Sequence, residues 1–236
     1  AGNTSNNIVV DHANGNVGIG ITPSQKLTVF GSGVGNATVQ IEGESGADPY
    51  INFLANNAQH WSLGVDDSDS DKFKLSEHSA LGTNDYFVVD VTGAVTMPLQ
   101  PAFLAQPASQ QDNLAGTGAT VNFATERFDQ NADWNVQTFT APVTGKYQFN
   151  VNLFLLGVDA DINYYSVKLA TSNRNYIFDF DPDFGQDAAR WSVSFGILAD
   201  MDASDTVTVV VSFSPDNATS TVDIATESYF SGFLAC

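Results

Sequence analysis

Cysteine is all but missing from this chain. Cys236 is the single cysteine in 236 residues, so no disulfide can form within one copy, and stability has to come from packing or association. Basic residues are scarce as well: eight Lys and Arg stand against 27 Asp and Glu, a formal charge of −19. Such a balance repels phosphate backbones and anionic bilayer surfaces, which argues against nucleic-acid or membrane-surface binding. No apolar run approaches the length needed to span a bilayer. Histidine is confined to His12, His60 and His78, so no Ser-His-Asp or Cys-His centre can be assembled from the residues after 98 of one chain. Walker, HExxH, GxSxG and CxxC patterns are absent too, and nucleotide, zinc and redox chemistry lose their usual signatures with them. Ala1 stands where a Met would begin an open reading frame, and the chain is expected to be a fragment or a processed product.

What is present is alternation. Hydrophobic residues reach 43%, enough for a core, but they do not recur at helical spacing. Tyr147, Phe149, Val151, Leu153 and Leu155 alternate with polar residues, as do Trp191, Val193, Phe195 and Ile197, and then Val207, Val209, Val211 and Phe213. Burial of one face at a period of two, bounded by Gly, Asn, Asp and Ser, is the pattern of antiparallel sheets packed face to face. The fold class is all-β. Two prolines in Met97-Pro-Leu-Gln-Pro101 interrupt pairing and mark the boundary, giving a β-rich stem over 1–98 and a sandwich over 99–236.

The two parts differ in texture. The first has short strand candidates at Ile8–Asp11, Val17–Ile21, Lys26–Phe30, Ala37–Ile41, Tyr50–Leu54, Trp61–Val65, Lys72–Leu75 and Tyr86–Val91. Ile8-Val-Val-Asp11 before Asn14-Gly-Asn is echoed by Phe87-Val-Val-Asp90 before Thr92-Gly-Ala, each reading as strand, hairpin turn, strand. Its apolar content is thin, so this part is expected to become stable by burying an apolar face against copies of itself.

Phe123, Asp129, Trp134 and Phe139, then Gly145-Lys-Tyr147-Gln-Phe149, follow one another at a spacing that resembles the aromatic motif of C1q/TNF-type head domains. Phe139-Thr-Ala-Pro142 and the closing Tyr229-Phe-Ser-Gly-Phe-Leu234 resemble the same family. The Trp134–Phe139 spacer is two residues short, and Val151 stands where an aromatic is usual. The resemblance implies a ten-stranded jelly roll that assembles as a homotrimer, and Phe139 and Phe233 are expected to meet across the sandwich. The first part is similar to phage tail-fibre shaft segments in Gly15-Asn-Val-Gly-Ile-Gly20, Thr22-Pro-Ser24, Lys26-Leu-Thr-Val29, Trp61-Ser-Leu-Gly-Val-Asp66 and Asp71-Lys-Phe-Lys-Leu75. That likeness implies the distal end of a longer fibre.

Candidate sites are few. Tyr164, Tyr165, Arg174, Tyr176, Arg190 and Trp191 are the rigid aromatic and cationic groups that dominate binding hot spots, and Ser172-Asn-Arg-Asn175 reads as an exposed hairpin tip. For each, ordinary packing or a strand-end ion pair is the plainer reading. Asp179, Asp181 and Asp183 offer carboxylates at a spacing of two, and Asp66-Asp-Ser-Asp-Ser-Asp71 does the same without the Gly and terminal Glu of an EF-hand loop. Calcium is a candidate there, and a solvated acidic loop is the plainer reading. Asn36-Ala-Thr38 and Asn217-Ala-Thr219 fit the glycosylation pattern, but a phage or bacterial protein would not use them.

No catalytic set emerges, and no cofactor is required. The expectation is adhesion: a homotrimeric viral, most simply bacteriophage, tail-fibre tip on the virion surface that recognises a host glycan or outer-membrane component. Two rivals remain open. A bacterial surface or spore fibre with a C1q-like tip is one, and a polysaccharide depolymerase using an Asp pair is the other.

Overall fold

Period-two sequence becomes strand along almost the whole chain, and the only helical turn among the described residues is Asp67–Asp69. The computed structural model describes residues 8–19, 21, 25–30, 37–56, 58–214 and 220–236. Thr22–Ser24, Asn36 and Asn217 lie outside them. Two units separate, Ala1–Thr83 with Val89–Ala94, and Asn84–Val88 with Val95–Cys236.

In the first unit β1 (Ile8–Asp11) and β2 (Asn16–Ile19) form an antiparallel hairpin, and β3 (Leu27–Val29) adds to β2 in parallel. The echoed turns share one device. Asp11 accepts the Ala13 N–H and the Asn14 amide, Asp90 accepts the N–H groups of Thr92 and Ala94, and Gly15 and Gly93 take positive φ. Ala37–Ile41 is not a strand. It finds no neighbour to pair with among the described residues, and Val39 and Ile41 stay exposed. The remaining ladder is β4 (Tyr50–Ala55), β5 (Gln59–Asp66) and β6 (Lys72–Ser76), antiparallel throughout. Its register sets Ile51, Leu63 and Leu75 in one row, Phe53 beside Trp61, and Val65 beside Phe73. On the opposite face Ser62, Lys74, Ser76 and Asp66 are buried. Lys74 Nζ lies 2.8 Å from Asp66 and 2.7 Å from Asp69, and Lys72 lies 2.8 Å from Asp69.

The second unit takes in β7 (Asp85–Val89) up to Val88, then β8 (Val95–Thr96), and continues as a two-sheet sandwich. Its strands are β9 (Ala102–Gln106), β10 (Gln111–Leu114), β11 (Ala119–Thr120), β12 (Thr125–Asp129), β13 (Trp134–Asn135), β14 (Thr138–Thr140) and β15 (Gly145–Val158). After these come β16 (Tyr164–Thr171), β17 (Asn175–Phe180), β18 (Ala188–Met201), β19 (Thr206–Ser214), β20 (Val222–Ile224) and β21 (Tyr229–Leu234). One sheet runs β10-β20-β15-β21-β9-β12 with β18 on the other side of β15; the second runs β13-β14-β19-β16-β17 with β11 also on β19.

The inner faces fill with the residues that alternation selects. Tyr147, Phe149, Val151, Leu153 and Leu155 face Val207, Val209, Val211 and Phe213, all at most 3% exposed. Phe103 sits at the centre of an aromatic cluster, 4.9 Å from Trp134, 5.0 Å from Phe139 and 5.1 Å from Phe230 between ring centroids. Phe230 takes the core place expected of Phe233, which is 46% exposed. Strand parity decides this, because Phe230 and Gly232 share the inward face of β21 while Tyr229, Ser231 and Phe233 point out. Gly232 is forced to be small, since a Cβ there would lie 2.5 Å from the Phe149 ring.

Candidate functional site

The sandwich has two ends, and the long strand β15 joins them. At its start the chain enters and leaves: Leu234 N–H bonds Pro101 C=O, and Lys146 N–H bonds Cys236 C=O. Fourteen residues later, roughly 45 Å away at about 3.3 Å per residue, β15 ends among the loops 159–163, 181–187 and the segment before β20. The candidate residues divide between these ends. Arg174 and Tyr176 lie at the near end, where the Arg174 guanidinium is 2.8 Å from Asp200 and the Tyr176 hydroxyl donates to the same carboxylate at 3.2 Å. The Asp200 carboxyl is held below its usual range by its own backbone N–H and then by Arg174, against partial desolvation. Burial raises the Tyr176 hydroxyl. The hairpin tip at 172–175 is therefore tied down at the end where the chain enters, through Asn173 to Asp200 C=O and Ser172 to Thr206.

Tyr164, Trp191 and the acidic triplet lie toward the far end. Tyr164 is 44% exposed, whereas Tyr165 is fully buried. Tyr165 is thus a core residue and not a contact residue: its ring stacks on Phe180 at 5.3 Å and its hydroxyl accepts the Asp159 N–H at 3.0 Å. Consecutive strand residues face opposite ways, so only one of the two tyrosines could be outside. Asp179 takes the Ser166 hydroxyl on the outer face of β17. Asp181 accepts the Asp183 N–H at 3.0 Å, and both line a cleft of 330 Å³ with Asp161 and Asn163. A second cleft of 360 Å³ lies between Asp159, Asp187 and Ser220. Among the described residues no three His, Cys, Asp or Glu side chains converge; of the acidic triplet, Asp179 is turned to Ser166 while Asp181 and Asp183 line the cleft.

Two surfaces of the sandwich are poor in charge in a chain that is otherwise acidic, although Asp179 on β17 lies within the first. The first is the edge where β17 and β18 face each other, each with only one hydrogen-bonded neighbour among the described residues. Phe178 stacks on Phe195 at 5.9 Å, Phe180 on Trp191 at 6.0 Å, and Phe184 meets Trp191 at 4.7 Å. With no further strand to cover them, Phe178, Phe184 and Trp191 remain 39–40% exposed. The second is the outward face of β18, β15 and β21. Between the Lys146–Asp200 pair at one end and the Leu156–Arg190 pair at the other, it carries only uncharged side chains. Gln148 lies between Leu198 and Phe233, and Asn152 between Ser194 and Tyr229. Arg190 closes this face by resting 5.5 Å over the Phe154 ring. The sequence shows both runs of residues, but only the register shows that they collect into two continuous surfaces.

Residues 102–235 match the C1q domain family. The chain belongs to the C1q family. Its motif residues account for the core: Phe123, Phe139, Tyr147 and Phe149 are fully buried, Trp134 is 5% exposed, and Asp129 is not a site but caps the turn by accepting the N–H groups of Asp133 and Trp134. The C1q domain is an all-β jelly-roll sandwich. Among solved structures, the globular domain of zebrafish complement 1qA protein is 20% identical with a TM-score of 0.44, over 58% of this chain and 98% of that one. Murine APRIL at pH 8.5 is 9% identical with a TM-score of 0.42, over 57% of this chain and 98% of that one. No curated protein matches the chain.

Proposed function

We propose that this chain is the receptor-binding distal part of a homotrimeric viral fibre, a bacteriophage tail-fibre tip whose C1q domain engages a glycan or outer-membrane component on the host surface. The observation that carries the reading is the pair of charge-poor surfaces. Copies each bearing −19 repel one another through most of their surface, and the aromatic β17–β18 edge and the β18–β15–β21 face are where close approach costs least. An edge meeting a face is a heterologous contact, which leaves unpaired surfaces unless it closes into a ring. Three copies make a small closed ring. Trp191, Phe180 and Phe184 then belong to assembly.

The far-end loops are left to meet the receptor. Asp161, Asp181 and Asp183 line a cleft at the end away from the chain's point of entry, Tyr164 follows at the start of β16, and three copies present three such loop sets. Weak contacts at each gain from simultaneous engagement. Virion-surface placement follows from this role, and no catalytic step or cofactor is assigned to the chain.

Fluorescently labelled protein is titrated onto a panel of bacterial strains and onto their purified surface polysaccharides. Saturable binding to some strains, lost on Tyr164→Ala with Asp181→Asn, supports the reading. Binding nowhere on the panel, or polysaccharide shortened during incubation, contradicts it.

A further inference from the structure

The β4–β5–β6 sheet is turned inside out. Its polar face is the buried one: Ser62 and Ser76 are fully buried, Lys74 is 3% exposed and Asp66 is 2% exposed. The Ser62 hydroxyl donates to His78 C=O and the Lys74 ammonium to Asp66. The opposite face is apolar and open. Ile51 is 44%, Phe53 55% and Phe73 40% exposed, and Trp61, Leu63 and Val65 are only partly covered. Phe53 and Phe73 alone leave on the order of 100 Å² each to solvent, given the 150–250 Å² that aromatic side chains present. Contiguous exposed apolar patches of this kind on a soluble chain mark contact surfaces.

We propose that this apolar face is a second self-association surface, separate from those of the C1q domain, and that its occupant is the same face of other copies of this chain. Charge selects the occupant. Asp67 and Asp71 lie beyond one end of the rows and Glu77 beyond the other, while no charged side chain falls on this face within the paired register. Another acidic copy can therefore approach through it without bringing carboxylates together. Need points the same way: the hydrophobic core cluster draws only on residues 103–230, and within Ala1–Thr83 the buried hydrophobic set contributes Leu81 alone among the described residues. The inference rests on the trimeric reading in one respect. Copies already held through their C1q domains keep this sheet at a high effective concentration of itself, so a modest apolar face suffices.

The test uses the full chain with Cys236→Ser and one added thiol. Phe53→Cys and Phe73→Cys probe two margins of the face, and Asp71→Cys serves as the exposed reference. In the assembled protein a maleimide is expected to react at 53 and 73 about tenfold or more slowly than at 71, and a short bifunctional maleimide to join copies through 53 or 73. Carbene footprinting of the unmodified protein reads the same side chains should either variant fail to fold, with Phe53 and Phe73 protected. A trimeric mass with 53 and 73 as reactive as 71 overturns this inference and leaves the C1q assembly standing. Protection without joining of copies also overturns it, since the cover would then come from the same chain. A monomeric mass removes both.

Discussion

Two adjacent tyrosines show how much a single residue's direction decides. Tyr165 is buried, its hydroxyl is pushed up by burial, and it closes the turn at Asp159. Tyr164 is exposed beside it. Tyr165→Phe is expected to cost about 1 kcal/mol, the usual worth of one buried hydrogen bond, and Tyr164→Ala much less; chemical denaturation of the two variants checks the difference. Lys74 is the other decisive side chain. Burial pushes the Asp66 carboxyl up, but hydrogen bonds from Lys74 and Ser68 outweigh it and hold it below its ordinary value. Lys74→Met strands that carboxylate and is expected to destabilise the β4–β6 sheet by about 3–5 kcal/mol, whereas Lys74→Met with Asp66→Leu recovers most of the loss. Asp69 is lowered to about 2, by Lys72 first and Lys74 next. A depressed carboxylate contributes stability that is present above its unfolded pKa, about 4, and lost as pH falls through the folded value. Protection from hydrogen exchange in β5 and β6, referred to the intrinsic rate at each pH, should therefore fall between about pH 4 and 2, and unchanged protection across that window would contradict the ion-pair account.

At the scale of the strand, edges matter more than sequence. The alternation of Trp191, Val193, Phe195 and Ile197 reads as a buried face, yet Val193 is 2% exposed and Trp191 39%. Both point inward; β18 is a sheet edge, and nothing in the period of two announces an edge. Val207–Phe213 lies on β19, between β14 and β16, and there the same pattern is fully buried. The fold class, the head's long strands and the two Asp-capped turns were legible because each rests on local spacing. The exposed hairpin tip at 172–175 was legible in the same way, but its ties to Asp200 and Thr206, the place of Phe230 against Phe233 and the two charge-poor surfaces were not, because parity and pairing across distant strands set them. Phe178→Asp places a carboxylate on the open edge without touching the aromatic cluster around Phe103. It is expected to release copies from one another while shifting the monomer's unfolding by no more than about 1 kcal/mol, as read by light scattering beside thermal unfolding.

For the whole molecule, charge and association pull against each other. Assembled copies would together carry three times −19, so screening should favour assembly, and dissociation on dilution is expected at low ionic strength before it appears at physiological salt. The apolar surfaces set against that repulsion are the aromatic edge and sheet face of the C1q domain and the open face of the β4–β6 sheet. They are built from different strands, so variants in one should leave the other intact. The mass of the full chain in solution, taken by light scattering coupled to gel filtration across a range of salt, tests the central claim most directly. The account predicts three times 25.2 kDa, and a mass of 25.2 kDa at every salt concentration would contradict it.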